Sequence, residues 1–316
     1  MEATGAIELD GQYRALREEA GFLAREGRVV IEVTGADAAD YLQGQLTQDV
    51  EPIEPGSGAY AALLDRKGHM QGDMRVLRLA EERFLLDLEP EASAAVIRHL
   101  STYKIGRDAE INDASAGYAL ISVIGPGAAR MTGAPPLAAE GSHTEMSFGG
   151  VECRAVASDL GLDLLLAPKD TGALAASLAA AGIASVEEAA AEIVRVEAGR
   201  PRFGREMTTE TIPQEAGINE RAISFSKGCY IGQETVARLH YKGKPNRHLR
   251  GLRSDAVLAA GEKIRAGEKV VGTVGTAVLS PALGPLALAV VRREAQPRDT
   301  VTVGSAATAE VVELPF

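Results

Sequence analysis

From Leu249 to the C-terminus the chain consists of short β-rich runs divided by turn residues, a pattern that leaves few folds open. Gly261-Glu262-Lys263 and Ala266-Gly267-Glu268 read as turns. Val270-Val271-Gly272-Thr273-Val274-Gly275-Thr276, Ala287 to Arg292 and Thr300-Val301-Thr302-Val303-Gly304 read as strands. Several short strands at this spacing close most readily into a small antiparallel barrel. We assign that barrel to residues 246–316, behind a larger region over 1–245.

The larger region mixes strands and helices. Arg28 to Val33 reads as a strand, followed by a short helix through Tyr41 and Leu42. Gly58 to Leu64, Asp73 to Leu79 and Phe84 to Leu88 form an antiparallel meander around an Asp65-Arg66-Lys67-Gly68 turn. A helix over Glu91 to Tyr103 precedes a strand from Gly117 to Ile124. The next residues, Gly125-Pro126-Gly127, lack the rest of a phosphate-binding glycine motif and read as a turn. Met131 to Gly141 is a loop, and Val151 to Ala157 pairs with Gly161 to Leu166. Helices over Thr171 to Ala181 and Ser185 to Ala198 follow, the second with a Ser185-x-x-Glu188 capping box and a terminal Gly199. The class is α+β, and 316 residues suffice for two or three units with a large core.

A formal net charge of −11 argues against a general nucleic-acid binder, which needs basic surface to neutralise phosphates. The charge is uneven. Lys227, Arg238, Lys242, Lys244, Arg247, Arg250 and Arg253 stand against one acid, Glu234. Such a run is either an anion-docking surface or a solvated loop with scattered charge. No apolar run approaches the ~20 residues that span a bilayer, and the first residues lack the basic and apolar regions of a signal peptide, so a cytoplasmic protein without membrane contact is expected. Cys153 and Cys229, the only cysteines, have neither a disulfide framework nor metal-ligand spacing.

The densest chemistry lies in Lys227-Gly228-Cys229-Tyr230-Ile231-Gly232-Gln233-Glu234-Thr235-Val236-Ala237-Arg238. The thiol follows a Lys-Gly pair and precedes a helix start near Gly232. A neighbouring cation and a helix N-terminus both favour thiolate. The other reading of Cys229, a buried structural thiol in a glycine-rich turn, is the common fate of free cysteines. Cys153 sits in a strand-like run and reads as core.

This motif, K-G-C-Y-I-G-Q-E-x-x-x-R, resembles the signature of the folate-binding YgfZ proteins, relatives of the aminomethyltransferase (T-protein) of the glycine cleavage system. Arg195-Val196-Glu197-Ala198-Gly199-Arg200-Pro201-Arg202-Phe203-Gly204-Arg205-Glu206 resembles a stretch shared by both families. Thr211-Ile212-Pro213-Gln214-Glu215-Ala216 resembles the segment that precedes the cysteine motif in YgfZ-type chains. The resemblance implies a T-protein-like fold, whose C-terminal barrel agrees with the one read above.

It also implies a ligand, tetrahydrofolate or a derivative. Glu197 is then the candidate acceptor for the pterin edge, with Asp73, Arg205 and Tyr60 as further candidate contacts; a salt bridge to Arg195, Arg200 or Arg202 is the alternative for Glu197. The ring contact is left open among Tyr60, Tyr118 and Phe203, and the basic run after Arg238 is a candidate for the anionic tail. Where the T-protein has two adjacent aspartates this chain has Gly72-Asp73, and where it has Y-T-G-E this chain reads Val156-Ala157-Ser158-Asp159. Both departures favour YgfZ-type function over aminomethyl transfer, in which Asp73 would be the acid–base group. The role implied is assembly or repair of iron–sulfur clusters in client enzymes, tRNA-thiomodifying ones included. Cys229 is there the expected functional thiol, with Lys227, Gly228, Gln233, Glu234 and Arg238 around it, and three roles stay open for it: transient ligation of a cluster, formation of a mixed disulfide, or chemical repair. A resident cluster needs about four ligands, mostly thiolates, which two distant cysteines do not supply. Asp65, His69 and Asp73 are rejected as a metal site, because four-residue steps converge only on a helix. Three readings stay open: a folate-binding accessory protein for iron–sulfur enzymes, a folate-dependent one-carbon transferase, and a partner-binding protein that has kept only the fold.

Overall fold

A computed structural model describes residues 2–316, with side chains from Glu8 onward. Two open sheets and a barrel make up the fold. The first sheet runs in the order Ser57–Leu64, Met70–Ala80, Arg83–Leu88, Val29–Thr34 and Glu110–Asp113, antiparallel throughout. The second runs in the order Ala184–Ser185, Gly21–Ala24, Ala119–Ile124, Gly161–Leu166, Val151–Ser158 and His143–Phe148. The chain therefore begins the second sheet, leaves to build the first, and returns. The expected meander and the paired strands at 151–166 are present in register. The helix Glu2–Glu18 and the strand His143–Phe148 add to the elements that the sequence pattern predicts.

Strand periodicity decides what faces what. On one side of the first sheet, Ile31, Val33, Leu63, Met74 and Leu86 pack with Leu100 and Val96 of the helix Pro90–Tyr103. Each such side chain contributes about 1.5–3 kcal/mol by leaving water. On the other side, Val30, Leu77 and Leu85 meet Leu120, Val156 and Leu165 of the second sheet. Two residues away along the strands, and so on the same face, this joint turns polar: Arg75 beside Leu77, Asp87 beside Leu85, Ser122 beside Leu120 and Asp163 beside Leu165, with Arg28 just before the strand that carries Val30. The shared face thus passes from an apolar joint to a charged one, and the charged part borders a cavity.

The helix Glu188–Glu197 starts later than the capping box implied. Ser185 is not an N-cap, because it lies in a short parallel strand opposite Phe22, and Glu188 is drawn to arginines instead. The six barrel strands close in the order Arg247–Ser254, Gly284–Arg292, Lys269–Ser280, Lys263–Ala266, Thr300–Val303 and Ala307–Val312. Val196 fixes the barrel to the rest by packing on Leu249, Leu286 and Leu288. No helix among the described residues is long and apolar enough to cross a membrane.

Candidate functional site

Between the two sheets lies a cavity of about 670 Å³, lined by polar groups from both sheets and from the segment 185–202. Its wall carries a closed ring of ion pairs, completed through one serine hydroxyl. Arg25 donates to both Glu188 oxygens at 2.8 Å and to Ser122 Oγ at 3.1 Å. Ser122 donates to Asp163 at 2.5 Å, and Arg75 bridges Asp163 to Asp87. Arg28 takes the other Asp87 oxygen at 2.9 Å and Glu89 at 2.6 Å. Arg202 closes the circle, 3.6 Å from Glu89 and 2.9 Å from Glu188. Four arginines balance four carboxylates, so the ring is neutral. Burial alone would push the Asp87 carboxyl up, yet Arg28 and Arg75 hold it below its ordinary value. Glu188 is likewise held down, against its burial, by Arg25 and Arg202.

Asp73 also lines the cavity and is unlike the ring. Tyr60 donates to its Oδ2 at 2.6 Å, while Oδ1 is buried with no partner among the described residues. Burial raises the Asp73 pKa, and burial followed by the Asp73 charge raises that of Tyr60 well above its ordinary value. The two are diagonal neighbours across one strand pair, since Tyr60 lies opposite Arg75 and Ala62 opposite Asp73. The Arg221 guanidinium covers the Tyr60 ring at 4.8 Å and is held by Glu140 and Asp159. An orphaned carboxylate oxygen beside an aromatic ring suits a flat heterocycle that carries N–H donors. Of the other two candidate rings, Tyr118 bonds Arg83 and Phe203 is buried in the core of the first sheet.

Glu197 and Arg205 do not reach this cavity. The Glu197 carboxylate accepts from Tyr13 at 2.9 Å and Ser280 at 2.5 Å, with Arg17 at 3.5 Å, and its own carbonyl accepts from Phe316 N–H at 3.1 Å. It therefore ties the N-terminal helix, the helix Glu188–Glu197, the barrel and the chain end together. Its expected partners Arg195, Arg200 and Arg202 serve other acids. The reason is helical geometry: Glu188 and Glu197 are nine positions apart, two and a half turns, and so point to opposite sides. Arg205 is exposed, and Arg202 of the same motif is the arginine in the cavity wall.

The cysteine motif lies at the far end of the hairpin that carries Asp73. Gly232, at φ 84°, starts the helix Gln233–Lys242, and a Cβ on it would come within 2.5 Å of the Asp65 carbonyl oxygen. A Cβ on Gly68 would come within 2.9 Å of Thr235. Glycine at both positions lets the helix start sit directly on the hairpin turn. Cys229 is exposed, three residues before the helix cap. Lys227 does not direct its charge at the thiol: its ammonium is buried and donates to the carbonyls of Gln43, Leu46 and Gln48 at 2.5, 2.8 and 2.9 Å. Those acceptors lie in and just past the last turn of the helix Ala38–Gln45, where a cation is favoured. Burial brings the Lys227 pKa down to about 8, which still leaves the ammonium form that three acceptors require at neutral pH. Cys153 is buried, and burial with the nearby Glu152 pushes its thiol up to about 11.

The basic run does not border the cavity either. Arg247 pairs with Glu215 and Arg250 with Glu313, so the tail contact expected of this run has no geometric basis. Asp65 and His69 do meet, at 3.4 Å across the hairpin turn rather than along a helix, with Asp73 remote in the cavity wall. Among the described residues no group of three or more His, Cys, Asp or Glu is arranged to hold a metal.

The GCVT N-terminal domain family matches residues 8–227, and the glycine cleavage T-protein C-terminal barrel domain family matches residues 247–316. An aminomethyltransferase of Streptomyces coelicolor is 28% identical over 337 aligned positions, covering 96% of this chain and 88% of that protein. An uncharacterized protein of Haemophilus influenzae is 32% identical over 224 positions, covering 69% of this chain and 68% of that protein. The crystal structure of glycine cleavage system aminomethyltransferase T from Bartonella henselae superimposes with a TM-score of 0.86 over 98% of this chain and 89% of that one, at 23% identity. The expected T-protein-like fold with its C-terminal barrel is therefore established.

Proposed function

The chain belongs to the glycine cleavage T-protein family, and on that premise we propose that it is a YgfZ-type accessory protein, which binds a reduced folate between its sheets and supports assembly or repair of iron–sulfur clusters in client enzymes through Cys229. The observation that carries this reading is the hairpin Ser57–Leu64/Met70–Ala80, which bears an unsatisfied Asp73 oxygen and Tyr60 in the cavity and seats the exposed Cys229 loop on its turn. The 2-amino group and ring N–H of a reduced pterin are the donors that Asp73 Oδ1 lacks, and Tyr60 with Arg221 offers a flat wall beside it. The cluster is cargo: one exposed cysteine suits transient ligation, and the remaining ligands come from the partner.

Cellular rescue of a labile iron–sulfur enzyme, such as one that thiolates tRNA, tests this directly. Cys229→Ala should abolish rescue while leaving the fold and folate binding unchanged, and Cys153→Ala should retain it. Full rescue by Cys229→Ala would sink the proposal.

The relatives named aminomethyltransferase favour a second reading, folate-dependent one-carbon transfer. Position 72 weighs against it. Gly72 faces away from the cavity, and a Cβ there would lie 2.7 Å from Ala92 Cβ and 3.0 Å from Val96 Cγ2. The packed helix Pro90–Tyr103 thus leaves no space for a second aspartate beside Asp73, and one placed there would point away from the ligand. Turnover of an aminomethyl donor with tetrahydrofolate would restore the second reading.

A further inference from the structure

Part of the basic run lies on the helix that follows the cysteine loop, outside the cavity. The turn residues Arg66 and Lys67 are exposed beside the start of the helix Gln233–Lys242, because Gly68 and Gly232 hold the two segments in contact. Arg238 and Lys242 on that helix and Lys244 just beyond it are exposed too. Among the described residues none of these five cations forms an ion pair, whereas every arginine of the cavity ring does. Asp65 offers them little compensation, since it accepts from the Lys67 and His69 N–H groups, and Glu234 is the one exposed acid on the helix. Aromatic surface lies within the patch: Tyr241 is 67% exposed, and His240 stacks on Phe225 at 3.7 Å. The helix buries only Val236, so its outer side is open.

We propose that this surface, formed by Arg66 and Lys67 of the turn and by Arg238, Tyr241, Lys242 and Lys244 on and just past the helix that follows the exposed Cys229, docks an acidic polypeptide segment that carries apolar side chains. It deepens the reading above, in which Cys229 serves a partner protein, and identifies that partner's contact chemistry. Uncompensated cations on a protein of net charge −11 steer one kind of partner, an acidic one, to one place. The exposed tyrosine supplies the amphipathic anchor that interfaces favour. A polypeptide fits better than a nucleic acid. The helix of 10 residues is only about 15 Å long, so it spans few phosphates, and a longer polyanion would run onto the acidic remainder of the surface.

The test is fluorescence anisotropy of the full chain, without folate, with a labelled peptide that alternates Glu with Leu and Phe. Wild type should bind it, more weakly as salt rises. Arg238→Glu/Lys242→Glu/Lys244→Glu, and separately Arg66→Glu/Lys67→Glu, should each weaken binding at least tenfold. Lys169→Glu/Lys263→Glu/Arg265→Glu, which changes charge equally at exposed positions elsewhere, should not. The assay contains neither folate nor a cluster, so failure of the thiol or folate reading leaves this result standing. Equal weakening by the distant triple variant, no effect of either patch variant, or tighter binding of a labelled dT oligonucleotide than of the peptide would overturn the proposal.

Discussion

Tyr60 Oη lies 2.6 Å from Asp73 Oδ2, and this hydrogen bond leaves Asp73 Oδ1 buried without a partner. A buried carboxylate with one unmet oxygen is costly unless a ligand supplies the donor. Its pKa is raised by burial, so the free site holds its proton to higher pH than an ordinary aspartate. A ligand that donates to the carboxylate must displace that proton. Affinity for a reduced folate should therefore increase as pH rises through the raised value and then level off. Calorimetry in two buffers of different ionisation enthalpy should detect the released proton, and a flat pH profile would contradict the assignment.

The ion-pair ring should stabilise the protein at neutral pH and fail in acid. The carboxyls of Asp87 and Glu188 are held below their ordinary values of 3.8 and 4.5. Groups lowered in this way contribute stability above the unfolded-state pKa and lose it as pH falls through the folded-state value. Urea midpoints should thus drop as pH falls below about 4.5. Arg75→Met leaves Asp87 and Asp163 short of a shared partner and should cost about 3–5 kcal/mol at pH 7, and a loss below about 1 kcal/mol would show that the ring contributes little.

Glu197 should matter to stability and not to ligand. Glu197→Ala removes the acceptor of Tyr13 and Ser280 in a buried setting, a loss of about 2–4 kcal/mol for two broken hydrogen bonds. Thermal unfolding should show the drop, while folate affinity of the folded protein stays within about twofold. A selective loss of folate binding without destabilisation would return Glu197 to the ligand.

The two thiols should separate cleanly. Cys153 is buried with its thiol pushed up to about 11, whereas Cys229 is exposed. At pH 8 a thiol reagent should modify one cysteine per native chain, identified by mass spectrometry as Cys229, and the second only after unfolding. Rapid labelling of both would contradict the burial of Cys153.

Much of this fold was legible because strand and turn signals are local. The meander, the 151–166 pair and the barrel follow from alternation and turn residues within a few positions of each other. The ring was not legible, since its members run from Arg25 to Arg202 and meet only when both sheets have formed. One local signal does point to it. Asp87 in Phe84-Leu85-Leu86-Asp87-Leu88, Asp163 in Leu162-Asp163-Leu164 and Arg75 in Met74-Arg75-Val76 are single charges inside apolar strand runs, and a charge so placed needs a partner across the face. The linear motif does not show that Glu197, nine positions after Glu188, is turned to the opposite side of the helix, toward Tyr13 and Ser280. Adjacency in sequence to Cys229 likewise says nothing of where the long Lys227 side chain points, and here it reaches back across 179 to 184 positions to helix-end carbonyls.

Calorimetric titration with a stable reduced folate of wild type, Asp73→Asn and Glu197→Gln side by side tests the central claim most directly. Wild type should bind, Asp73→Asn should weaken binding tenfold or more, about 1.4 kcal/mol, and Glu197→Gln should leave it unchanged. Binding untouched by Asp73→Asn, or no binding by wild type, would contradict a folate site in the cavity between the sheets.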